Sequence, residues 1–174
     1  DHHIVLSFIS DLNSSPRKGL DIFVEAISNL PYYKDLTILT IGNGCTMKFP
    51  LSIVHRHLGP CTQKEINMVF CASDAFIFPS REEALGNVML ESMACGTPVI
   101  GTPVGGLLDV IQPGFNGLIS DDVTASGLAK IITEFIAKKN LFSSYKIRDF
   151  IEKHFSEDSI ANQYIEIYKR LLYR

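Results

Sequence analysis

The chain has 174 residues, 46% of them hydrophobic, and a mean hydropathy of +0.16, so it is long and apolar enough to bury a core and does not read as disordered. Sixteen Lys and Arg against nineteen Asp and Glu leave a net charge of −3, which excludes the broad basic surface that nucleic-acid binding needs. No apolar run approaches a membrane span, and the four cysteines (Cys45, Cys61, Cys71, Cys95) show neither metal-ligand pairing nor a disulfide framework, so free buried thiols are expected.

In chain order, the β-rich run 4–10 predicts a first strand. Residues 19–30 carry Leu20, Phe23, Val24, Ile27 and Leu30 at helical spacing. A short apolar run at 36–41 ends in Gly42-Asn43-Gly44, and 53–58 forms a third strand stopped by Gly59-Pro60. Thr62 then caps a helix through Cys71, with Glu65 completing a capping box. A buried strand at 75–78, a helix at 86–95 and a strand at 98–101 follow. Gly105-Gly106 turns the chain into a short helix at 107–111, and 117–119 is the last strand. From Val123 onward the pattern is helical, with breaks near Asn140 and Ser156.

Apolar strands alternating with helices predict an α/β fold, a Rossmann-like parallel sheet with helices on both faces and further C-terminal helices. The chain reads as one domain over 1–174. It opens at Asp1 without an initiating Met and reads as an excised piece of a larger protein. In such sheets ligands bind beyond the carboxyl ends of the strands. Arg17 and Lys18 follow the first strand and precede the first helix, where they can hold a phosphate or form a solvated basic turn. Gly42-Asn43-Gly44 lacks the third glycine of a dinucleotide fingerprint, since Met47 stands there, so a tight turn is favoured over direct ligand contact. His55 and His57 alternate along a strand; a polar sheet face is favoured over a metal pair, and no metal site is assigned. His2 and His3 are given no role.

Glu83, Gly86, Asn87, Val88 and Glu91 form the most informative group. Gly86 lets backbone approach an anion, and the first-turn N–H groups at 86–88 point toward it. Carboxylates at Glu83 and Glu91 can accept vicinal sugar hydroxyls. A phosphate flanked by sugar hydroxyls is a nucleotide sugar.

Residues 79–100 resemble the signature of the retaining glycosyltransferases of family four, which have the two-domain GT-B fold. The two acids of the motif, seven residues between them, match Glu83 and Glu91; the preceding Pro79-Ser80, Gly86, and the run 94–100 match too. Lys18-Gly19, Gly59, Asp74, Gly105-Gly106 and Asn116-Gly117 fit the surrounding order. The resemblance covers the donor-nucleotide half of such an enzyme and implies that an N-terminal acceptor domain is missing. It implies that Glu83 acts at the reacting sugar, and that Gly86, Asn87 and Val88 offer N–H groups to the distal phosphate and sugar. It further implies that Glu91 binds the ribose, that Lys18 neutralises the diphosphate, and that Gly42, Gly44, Leu58 and Gly59 frame base and ribose.

The implied activity is retaining, metal-independent hexosyl transfer from a UDP- or GDP-linked sugar to a glycan or lipid-linked acceptor. No separate cofactor is expected. The implied location is the cytoplasm, with membrane-face association through the missing half, in polysaccharide biosynthesis. Family members have Gly-Arg after the first strand, whereas this chain has Ser10-Asp11; Arg17 is the expected replacement. A nucleotide-sugar epimerase and a non-catalytic nucleotide-sugar-binding module are the alternatives.

Overall fold

The computed structural model describes residues 3–10, 16–31, 35–44 and 48–172. His2, Asp11, Cys45 and Met47, named above, lie outside them. The described residues form strands β1 (Ile4–Ile9), β2 (Leu36–Ile41), β3 (Val54–His57), β4 (Ala75–Phe78), β5 (Val99–Gly101) and β6 (Gly117–Ile119). Their helices are α1 (Leu20–Ser28), α2 (Gln63–Ala72), α3 (Asn87–Ala94), α4 (Leu107–Val110), α5 (Ala125–Lys138), α6 (Ser144–Phe155) and α7 (Glu157–Leu172). Short 3-10 turns cover Pro16–Lys18 and Lys139–Leu141.

The strands make one sheet in the order β3-β2-β1-β4-β5-β6, parallel throughout. Strand β1 pairs with β2 along its whole length, from Ile4↔Leu36 to Ile9↔Ile41, and with β4 through Leu6↔Ala75 and Ser7↔Phe76. Every residue of β4 is buried because both faces are covered. Its side chains divide with period two: Ala75 and Ile77 join one core, Phe76 and Phe78 the other. The first core packs α1 and α5 over β1 and β2; the second packs α3 and α6 over β4 and β5.

The predicted elements are all present, trimmed where glycine or a cap takes over. Helix α2 starts at the predicted capping box: Glu65 Oε2 accepts the Thr62 N–H at 2.8 Å, while Thr62 Oγ1 accepts the Glu65 N–H. The Thr62 N–H and hydroxyl hold the Glu65 carboxyl below its usual range. His55 Nε2 and His57 Nδ1 both lie on Thr40 Oγ1, at 2.8 and 3.1 Å, so the two rings do share a face. Burial and then the neighbouring His57 push the His55 imidazole down. No helix among the described residues is long and apolar enough to cross a membrane.

The cysteines depart from expectation. Cys71 is exposed, and Cys61 and Cys95 are only partly buried. The apolar stripe of α2 runs through Ile66, Val69 and Phe70, at i, i+3 and i+4, and Cys71 falls off it. Cys95, at the end of α3, is pushed up to about 11, first by burial and then by the Cys71 thiol beside it. The thiolate is the reactive form, so Cys71 should be alkylated by iodoacetamide at pH 8 well before Cys95. Mass spectrometry of partially reacted protein gives the order, and preferential labelling of Cys95 would contradict it.

Candidate active site

The strand order reverses between β1 and β4. The chain leaves β1 for α1 on one face of the sheet and leaves β4 for α3 on the other. Two loops that diverge this way leave a crevice between them, the usual ligand position in an open parallel sheet. Lys18 stands on the first loop and Glu83 on the second. The Lys18 ammonium donates to Glu83 Oε2 in a close ion pair, and it sits 5.6 Å from the centroid of the Phe78 ring. The two side chains are 29% and 16% exposed, so the pair is partly desolvated but open to solvent.

The loop carrying Glu83 is held from both sides. On one side Gly19, at φ 71°, packs so close that a Cβ would lie 1.9 Å from the Pro79 carbonyl oxygen. On the other, Gly105 at φ 49° would bring a Cβ to 1.8 Å from the Glu83 carbonyl oxygen. The Gly106 N–H donates to the Ala84 carbonyl at 2.7 Å, and the Thr102 hydroxyl donates to the Ser80 carbonyl. Gly86 ends the loop at φ 79° and lies outside α3, as its N-cap, rather than in the first helical turn as the sequence suggests. A Cβ there would meet the Phe78 ring at 2.9 Å. No side chain among the described residues caps α3, and Asn87 is exposed at its start. Val88 turns toward the second core, and Met89 and Ser92 are fully buried.

A second group lies at the ends of β2 and β3. The Gly42 N–H donates to the Gly59 carbonyl at 3.0 Å, and the Leu58 N–H donates to the Thr40 carbonyl at 2.9 Å. Gly42, Gly44 and Gly59 all have positive φ. Leu58 is exposed. Glu91, one turn into α3, accepts from Gln63 Nε2 at 3.1 Å, which ties it to the start of α2 just beyond this group.

The structure therefore pairs Lys18 with Glu83, places Lys18 and Gly86 beside the same Phe78 ring, joins Gly42 to Gly59, and leans Glu91 toward the second group. The Arg17 side chain is exposed and makes no hydrogen bond or ion pair among the described residues; its carbonyl accepts the Arg81 N–H at 2.8 Å. Asp74 and Asn116 have structural roles away from these loops. Asp74 accepts the Val5 N–H and pairs with Lys139, and Asn116 bridges Gln112 and Val110. Gln63, Arg81 and Thr102 were not legible as site residues, because each acts on a partner remote in sequence.

Residues 3–138 match the family described as glycosyl transferases group 1. The chain belongs to the group 1 glycosyl transferases. Its relatives include N-acetyl-alpha-D-glucosaminyl L-malate synthase of Bacillus anthracis, 30% identical over 163 residues, covering 89% of this chain and 43% of that protein. The lipopolysaccharide core biosynthesis glycosyltransferase LpsE of Rhizobium meliloti (strain 1021) is 30% identical over 159 residues, covering 87% of the chain and 46% of that protein. The crystal structure of Anabaena Alr3699/HepE in complex with UDP and glucose shares the fold, with a TM-score of 0.76 at 22% identity over 97% of this chain and 49% of that one. This glycosyl transferase chain thus spans about half the length of the proteins it matches.

Gly105→Ala should destabilise this glycosyl transferase chain by about 2 kcal/mol or more, through positive-φ strain and collision with backbone. Gly114, at φ 81° with no heavy atom within 4 Å, isolates the strain alone, and its alanine variant should cost about 1 kcal/mol. Urea unfolding compares them; equal losses would mean that the Glu83 loop yields freely.

Proposed function

We propose that this chain is the donor-binding half of a retaining glycosyltransferase that moves a hexose from a nucleoside diphosphate sugar to a glycan or lipid-linked acceptor. The observation that carries the reading is the meeting of Lys18 and Glu83 in the crevice where the strand order reverses. A cation and an acid at one sheet edge, beside the uncapped start of α3, match the two chemical faces of a nucleotide sugar. Bound UDP and glucose in the Anabaena neighbour, and the glycosyltransferase named among the relatives, support the choice of donor class.

In this reading the diphosphate lies against Lys18, the N–H of the N-cap Gly86 and the first N–H groups of α3, at Asn87 and Val88. As the sugar–phosphate bond breaks, negative charge grows on the leaving diphosphate, and a fixed ammonium and oriented N–H dipoles stabilise it. The reading requires no metal ion. Glu83, relieved of Lys18 by the incoming phosphate, accepts hydroxyls of the sugar ring beside the reacting carbon. Glu91 accepts the ribose hydroxyls, oriented by Gln63, and the turns at Gly42, Gly44, Leu58 and Gly59 frame the base. Arg17 supplies a second cation from the same turn as Lys18. The acceptor comes from a partner half, and the reaction belongs in the cytoplasm, where activated sugars are consumed in polysaccharide assembly.

A thermal-shift panel of UDP, GDP, ADP and their hexose conjugates tests the donor site. A ligand at about 100 times its dissociation constant should add about 2.7 kcal/mol of stability. No shift with any member of the panel would overturn the reading. Arg17→Ala should weaken nucleoside diphosphate binding by about 1.5–3 kcal/mol, as loss of a charged hydrogen-bond donor does. Calorimetry reads the change, and unaltered affinity would remove Arg17 from the site.

A further inference from the structure

Packing anchors the Lys18 turn at its far end, where Gly19 lies against the Pro79 carbonyl, but the turn itself contributes little. It is three residues long, Pro16–Lys18, and buries none of them. A catalytic ammonium on such a turn would lose considerable side-chain and backbone freedom when a ligand arrives. One residue of the opposite loop spans it. Arg81 Nη1 donates to the Pro16 carbonyl at 2.6 Å and to Asp21 Oδ1 at 2.8 Å, while Nη2 donates to Asp21 Oδ2 at 2.6 Å. The Arg81 backbone N–H donates to the Arg17 carbonyl at 2.8 Å. Lys18 is thereby bracketed, with Pro16 and Arg17 held before it and Asp21, in the first turn of α1, held after it. Arg81 itself stands two residues before Glu83.

We propose that Arg81 is a positioning residue that clamps the Lys18 turn and α1 to the Glu83 loop, so that the cation and acid of the donor site are preset before ligand arrives. The inference rests on the donor-site reading above. A guanidinium suits this position because its planar fork takes both Asp21 oxygens and still reaches a carbonyl, which the single-point head of an ammonium cannot do. The pair is a minor source of global stability, because both side chains are substantially exposed. Its leverage lies in what it ties together: residues 60 to 65 positions apart whose neighbours must meet in the crevice.

Calorimetry with UDP, or with whichever nucleoside diphosphate of the thermal-shift panel binds the parent chain, tests the clamp. Arg81→Ala should lower affinity about tenfold, the size expected when one or two groups must be ordered on binding. Arg81→Lys, which keeps the charge but not the fork, should lose nearly as much, and Asp21→Asn should lose less. In a Lys18→Met background, Arg81→Ala should lose clearly less than in the parent, because most of its influence passes through Lys18 and only the remainder through Arg17. Parent-like affinity in Arg81→Ala or Arg81→Lys would overturn the proposal, and so would a full additional loss in the Lys18→Met background. If Arg81→Ala does not fold, Asp21→Asn and Arg81→Lys decide on the same measurement. A parent chain that binds no nucleotide at all would instead bring down the donor-site reading, and the clamp with it.

Discussion

The backbone of Gly19 lies against the carbonyl of Pro79 so closely that no side chain fits between them. That contact follows from the sheet, because β1 and β4 are neighbours and the loops at their carboxyl ends must cross the same narrow space. Glycine is required twice over, for the positive φ and for the absent Cβ. Gly105 makes the equivalent approach from the other side, against the Glu83 carbonyl. The loop between β4 and α3 is therefore wedged between two stretches of backbone. Glu83 and Gly86 take their positions from that wedge, and Lys18, immediately before Gly19, takes its position from the same packing.

The floor of the crevice is continuous with the second core. Phe78 packs its ring among Phe76, Met89 and Met93, and the same ring lies under the Lys18 ammonium and against Gly86. An ammonium above an aromatic face gains modestly from the ring quadrupole. It gains more from the Glu83 carboxylate, whose side chain would otherwise stand mostly buried beside apolar groups without a counter-charge. The unliganded pair is thus a way of keeping two partly desolvated charges satisfied. A dianionic phosphate would offer Lys18 a stronger partner than one carboxylate, so binding of the proposed donor would exchange one satisfied arrangement for another rather than uncover a bare charge.

Much of the framework was legible because it is local. The strands are apolar runs ended by glycine or proline, the α2 start is a capping box written in Thr62 and Glu65, and the acids at Glu83 and Glu91 flank a glycine that begins a helix. What sequence could not supply was pairing at a distance. Strand order places β1 beside β4 although α1, β2, β3 and α2 intervene, and no periodicity encodes that neighbour. The same holds for Arg81 with Asp21 and for Gln63 with Glu91, where each residue alone reads as an ordinary exposed polar side chain. Cys71 differs, since its exposure follows from the spacing of Ile66, Val69 and Phe70; position on the helix outweighs the apolar character that makes a free cysteine read as core.

The two halves of the site use glycine for different reasons. Gly19 and Gly105 are glycines because backbone crowds them, and a side chain at either would move the Glu83 loop. Gly59 has a comparable φ of 70°, yet among the described residues a Cβ there would meet nothing within 4 Å. Its requirement is conformational alone: the turn must bend so that its carbonyl accepts the Gly42 N–H, and the space above it stays open. Crowding at one end of the sheet edge and room at the other divide the proposed labour between them. The charged groups are fixed by packing, at the end where the proposed phosphate chemistry would demand a set geometry. In the proposed reading the base would meet main chain over an open turn, so discrimination between bases would depend on loop backbone shape rather than on the identity of any one side chain.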